Sequence, residues 1–141
     1  MLPFVRFFRE FAVRRPEPKD TLGIPRSSMP QIETEDYDEL YKYLKNHGLS
    51  PKAMKVNPAE LKALQRDFKT AGVVKALQKE KVKKPVIISN DNYVIDGNHR
   101  WLAALNTRLD KIDAIMFPAN GVKLLALVKK FHKVGFKGLY D

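Results

Sequence analysis

Five consecutive residues of VIDGNHRWLAAL, the stretch from Val94 to Leu105, carry groups able to do chemistry: Asp96, Gly97, Asn98, His99 and Arg100. They stand between a β-branched run and an apolar run of helical character, which makes DGNHR a strand-to-helix turn. Gly97 lets the backbone turn sharply and lets a ligand approach it. Asn98 is the expected N-cap, leaving the amides of His99, Arg100 and Trp101 at the positive end of the helix, where anions and phosphate above all are bound. Arg100 in a first helical turn opposes the helix dipole at a cost of a few tenths to about 1 kcal/mol, and a bound anion reverses that sign. His99 adds a donor, or a general base with a reference pKa of about 6.5. Asp96 is the carboxylate placed to hold a Mg²⁺ carried by phosphates or to orient its neighbours. A plainer arrangement uses the same residues: Asn98 caps, Arg100 pairs with Asp96, and His99 is a satisfied surface group. Local sequence leaves both open.

The elements that must position this turn follow from spacing. KKPVIIS and NYVID flank Asn90 and Asp91 and predict a β-hairpin leading into the turn. NHRWLAALNTR reads as the helix after it, with Trp101, Leu102 and Leu105 facing the core, and KIDAIMF as a further strand. GVKLLALVKKFHKVGF reads as a helix with Leu124, Leu125, Val128 and Phe131 on one face. Upstream, ETEDYDELYKYLKNHG has Tyr37, Leu40, Tyr41 and Leu44 at helical spacing, an acidic first turn and Gly48 as its stop. AMKVNP predicts a short strand, and Pro58 behind Asn57 predicts a capped turn of helix. The segment from Phe68 to Lys79 is expected to be helical, weakened by Gly72. The class is therefore α/β in the α+β sense, a small mixed sheet flanked by helices.

Before this domain, taken as 31–141, come two segments of different character. In residues 1–15, Phe4, Phe7, Phe8 and Phe11 form one stripe of an amphipathic, cationic helix suited to docking on its own core, on another protein or on an anionic surface. Residues 16–30 carry Pro16, Pro18, Pro25, Pro30 and Gly23 and predict an extended linker.

Composition limits the chemistry. The 141 residues contain no cysteine, which removes disulfides, thiolate metal sites and cysteine nucleophiles and suits a reducing compartment. No apolar run reaches the roughly 18 residues of a membrane span, so a soluble protein is expected. Lys plus Arg number 26 against 16 for Asp plus Glu, and the resulting +10 favours polyanionic partners such as nucleotides and nucleic acid. The acidic QIETEDYDEL is set against lysines in KALQKEKVKK and from Lys123 to Lys137, giving a dipolar surface. The scattered His47, His99 and His132 form no zinc pattern, and His47 and His132 are expected on the surface.

KKPVIISNDNYVIDGNHRWLAAL resembles the signature of the ParB/sulfiredoxin superfamily. IPRSSMPQI and VNPAELKALQRDF upstream of DGNHRWLAAL are similar, more narrowly, to ParB-like proteins of tailed bacteriophages. The resemblance implies a ParB/sulfiredoxin-like fold, location in the cytoplasm of an infected bacterial host or in a phage virion, and a nucleoside triphosphate, ATP or another, with Mg²⁺. It matches Gly97, His99 and Arg100 to the phosphate-contacting turn, and Gln65, Arg66 and Lys84 to supporting positions. Sulfiredoxin chemistry needs a cysteine where this chain has Asn98. The Glu-Asn-x-x-Arg element of the partition proteins has no counterpart in GVKLLALVKKF, and no helix-turn-helix domain follows, which argues against a sliding clamp.

Two classes of function follow. One is an enzyme, a nucleotide-dependent ATPase or nuclease acting on DNA, or a small-molecule or protein kinase, with Asp96 and His99 as catalytic groups. Two-metal chemistry would add a carboxylate from Asp91, Asp113 or Glu60. The other is a binding or virion protein that docks on a phage or host protein through residues 1–15 and its basic surface. Fold does not choose between them.

Overall fold

A computed structural model of the chain describes residues 21–65 and 84–136. The Phe stripe of 1–15, the first part of the linker, Arg66 and the expected 68–79 helix lie outside the described residues. The strands are β1 (Pro30–Gln31), β2 (Lys52–Val56), β3 (Lys62–Ala63), β4 (Val86–Ser89), β5 (Tyr93–Asp96), β6 (Ile112–Phe117) and β7 (Gly135–Phe136). The α-helices are α1 (Tyr37–Asn46), α2 (Asn98–Asn106) and α3 (Gly121–Lys129). Among the described residues no helix is long and apolar enough to cross a membrane.

Five strands form one mixed sheet in the order β2-β6-β4-β5-β3. β2 runs antiparallel to β6 and β4 antiparallel to β5, while β6 with β4 and β5 with β3 are parallel. β4 is central and all four of its residues are buried, which accounts for the unbroken run VIIS where a half-exposed strand would alternate. The hairpin is where the sequence places it, with Asn92 supplying the positive φ of 71°.

The sheet has helices on both faces. Ile87, Ile95 and Phe117 pack with Leu40 and Leu44 of α1 and with Leu124, Leu125 and Val128 of α3. Val86, Ile88, Val94 and Ala114 pack with Trp101, Leu102 and Ala104 of α2. α1 meets the sheet through the predicted stripe, with Asp38 and Glu39 at its positive end, and stops before Gly48, whose φ is 84°. The Tyr43 hydroxyl donates to the Leu127 carbonyl of α3 at 2.6 Å. On the opposite layer, Trp101 Nε1 donates to the Pro58 carbonyl at 2.8 Å and ties α2 to the 3-10 turn Pro58–Glu60. Asn57 caps that turn as expected, accepting from the Ala59 amide at 2.9 Å.

Two expectations change. The second half of the expected 16–30 linker is docked rather than extended: Arg26–Ser28 form a 3-10 turn, Met29 is 1% exposed in the core, and β1 pairs with β7. Prolines suit this path because a 3-10 turn and a two-residue edge strand need few of their amides. The helix expected over GVKLLALVKKFHKVGF ends at Lys129. The chain beyond it turns so that Gly135 and Phe136 can pair with Gln31 and Pro30. Phe131 nonetheless joins the apolar face as predicted, 1% exposed.

The α2 layer rests on few side chains, and Leu102 is completely buried among them. Leu102→Ala should lower the unfolding free energy by about 2–5 kcal/mol. Urea unfolding followed by the fluorescence of the single tryptophan, Trp101, measures this; a loss under about 1 kcal/mol would contradict the packing described.

Candidate functional site

The turn from β5 into α2 is shaped by two backbone departures. Regular alternation would point Asp96 the same way as Val94, toward α2. A register shift instead aligns Asp96 with Ile87 while Val94 stays opposite Ile88. Ile87 packs in the α1 and α3 layer, so this bulge aims Asp96 at α1. The next residue, Gly97, has φ 92°, a left-handed conformation that side chains disfavour. A Cβ at Gly97 would lie 2.7 Å from Arg100 Nη2 and 2.9 Å from Val86 Cγ1, so the position is closed to a side chain on two counts.

Gly97 is also the N-cap of α2, which corrects the expectation that Asn98 caps. The left-handed turn starts the helix one residue earlier, placing Asn98 in the first turn and 2% exposed. Among the described residues no side chain caps α2, and no acidic residue lies in its first turn. The first intrahelical bond runs from the Trp101 amide to the Gly97 carbonyl at 2.9 Å. The amides of residues 98–100 precede that bond and point out of the helix end. Asn98 Oδ1 is buried and has no donor among the described residues.

Arg100 folds back over Gly97. Its Nη2 donates to the Tyr37 hydroxyl at 2.9 Å and to the Pro85 carbonyl at 3.2 Å, and lies 3.7 Å from Asp96 Oδ2. The Tyr37 hydroxyl in turn donates to Asp96 Oδ2. Arg100 Nε is buried without an acceptor among the described residues. The ion pair with Asp96 is the plainer arrangement of the sequence analysis, with a partner added that spacing did not reveal. Tyr37 was legible only as one member of the α1 stripe. The available hint was its phenol, since a buried Tyr hydroxyl needs a polar partner. Burial, and next the Asp96 charge, push the Tyr37 phenol well above the ordinary tyrosine range. Burial likewise raises Tyr41, its neighbour on α1.

Of the other expected site residues, Lys84 comes close. It is exposed, its Nζ donates to Thr34 Oγ1 at 3.1 Å, and it precedes the Pro85 that accepts from Arg100. His99 is half-buried in the first turn of α2. Gln65 is fully buried just past β3, bridged to Ile24, one strand over from β5. The extra carboxylates do not gather at Asp96. Asp91 accepts from Ser89 Oγ at 2.5 Å and from the Gly121 amide at 2.9 Å, at the opposite end of β5. Asp113 pairs with Lys55 at 2.7 Å, and Glu60 is exposed on its 3-10 turn. Among the described residues no three His, Asp or Glu side chains are grouped to hold a metal ion. Among the described residues Asp96 therefore belongs to no group of three such ligands. His47 and His132 are exposed, the latter 3.5 Å from Glu39.

No family model, curated protein or solved structure matches this chain.

Because Tyr37 holds its proton more tightly when folded, its contribution to stability is whole below the unfolded tyrosine pKa of about 10 and is lost as pH rises beyond it. Wild type should lose stability more steeply than Tyr37→Phe between about pH 9 and pH 11. Urea unfolding across that range tests this. Parallel losses would show that Tyr37 is not held as described.

Proposed function

We propose that the chain binds a phosphate-bearing ligand, a nucleoside triphosphate in the first instance, at the turn formed by Asp96, Gly97, Asn98, His99 and Arg100. The observation that carries the reading is the start of α2: a left-handed glycine cap with no side chain or acid upon it, and a guanidinium folded over that same glycine. Amides at a helix start and an arginine fork are the pair of donors that phosphate oxygens accept from best. Support also comes from the likeness of DGNHRWLAA to the ParB/sulfiredoxin turn and from the net charge of +10.

In this reading the amides of residues 98–100 and Arg100 hold the phosphate, Lys84 contributes charge from the mouth, and His99 flanks the ligand. Mg²⁺ would arrive with the triphosphate, with Asp96 as its nearest protein carboxylate. The reading stops at binding. ATPase, nuclease or kinase turnover with two metals would need further acidic ligands beside Asp96, and Asp91, Asp113 and Glu60 lie elsewhere.

Calorimetric titration with ATP, ADP and CTP, each with Mg²⁺, tests it. Wild type should bind saturably. Arg100→Ala, checked for fold by circular dichroism, should weaken binding tenfold or more, the loss of a hydrogen bond to a charged group of about 1.5–3 kcal/mol. A folded wild type that binds none of the three would sink the nucleotide reading and shift the choice to contacts with a DNA backbone.

A further inference from the structure

We infer that Tyr37 is a latch on Arg100, holding its guanidinium against Asp96 and Gly97 so that a phosphate must compete with the Tyr37 hydroxyl for the same arginine. The inference rests on the phosphate reading of the turn and concerns how access to that site is controlled.

Arg100 is already committed. A single nitrogen, Nη2, serves both the Tyr37 hydroxyl and the Pro85 carbonyl, and the Asp96 carboxylate stands behind the hydroxyl. Nε, on the same guanidinium, is buried and lacks an acceptor among the described residues. Buried guanidinium nitrogens are ordinarily satisfied, and one left over marks an arrangement short of the best that an arginine can make. A phosphate offers adjacent oxygens to Nε and Nη2 together, a fork that Tyr37 with its one oxygen cannot match. Nε is inaccessible where it stands, so ligand entry requires the guanidinium to turn or the cover above it to lift.

The start of α1 reaches this guanidinium. Thr34, just before the helix, accepts from Lys84, and Tyr37, its first residue, reaches Asp96 and Arg100. The first contact ties the segment 34–37 to Lys84 and the second ties it to the β5–α2 turn, whose Arg100 also donates to the Pro85 carbonyl. The Tyr37 hydroxyl uses its donor on Asp96 and its acceptor capacity on Arg100. Removing that one oxygen therefore loosens the arginine while leaving the aromatic packing of Tyr37 on Tyr41, with ring centroids 6.1 Å apart.

The test is affinity for ATP with Mg²⁺ and for inorganic phosphate, measured on the full chain. Tyr37→Phe should bind about tenfold more tightly than wild type, and the added Arg100→Ala should abolish the gain. Tyr41→Phe, which removes a hydroxyl from the neighbouring ring but touches neither Asp96 nor Arg100 by a hydrogen bond, should bind as wild type does. Wild type that stays silent toward both ligands overturns the phosphate reading, and the latch that rests on it, even where Tyr37→Phe binds. If wild type binds and Tyr37→Phe binds equally or more weakly, the latch is overturned and the phosphate site stands. If neither binds, both fall. Should Tyr37→Phe fail to fold, the isosteric Asp96→Asn, read with inorganic phosphate and no Mg²⁺ so that its place beside the metal does not enter, carries the same expectation, because it removes the charge that draws Arg100 back; unchanged or weaker phosphate binding by it overturns the latch.

Discussion

The placement of one guanidinium organises this molecule. Arg100 belongs to α2, on one face of the sheet, yet it reaches past the end of β5 to the Tyr37 hydroxyl of α1, on the other face. A half-buried arginine is costly unless its charge is answered, and here Asp96, Tyr37 and the Pro85 carbonyl share the task. Removing one member would leave the others partly desolvated and unpaired, so the network is more demanding of its parts than a surface pair.

The backbone around it is arranged to suit. The bulge in β5 turns Asp96 from the α2 layer toward α1. The left-handed Gly97 starts the helix early enough that Arg100 stands one turn above the cap and can fold down on it, in space that any side chain at Gly97 would fill. Close approach decides a second glycine as well: a Cβ at Gly121 would lie 2.8 Å from the Tyr93 ring, where α3 begins against β5. The helix end left uncapped by this geometry is electropositive, and its arginine is held by neighbours of modest strength. On those two properties the proposed phosphate site rests.

Much of the scaffold was legible in the sequence, because local patterns dictated it. Alternation and a turn pair defined the hairpin, helical spacing defined α1 and α2, and Asn57 with Pro58 defined a capped turn. The Asp96 and Arg100 pairing was legible too, being four residues apart across a glycine turn. What escaped depends on long-range placement. Tyr37 lies 59 residues before Asp96, and a periodicity argument sees only its apolar ring. The cap moved from Asn98 to Gly97 because a bulge and a left-handed glycine act together; the glycine was legible as a turn residue, but the bulge has no sequence signal of its own. The pairing of β1 with β7 joins the two ends of the described fold, so the prolines up to Pro30 suggested an extended linker and the run up to Phe136 a continuous helix where the structure has a short sheet.

The most direct measurement is an ¹⁵N nuclear magnetic resonance titration of the full chain with ATP and Mg²⁺, following backbone amides and the arginine Nε–H signals. The account predicts saturable shifts concentrated on residues 97–101, with the Arg100 Nε–H moving as it gains an acceptor. Shifts spread over the exposed lysines with the α2 start unmoved would contradict it, as would a spectrum unchanged at saturating nucleotide.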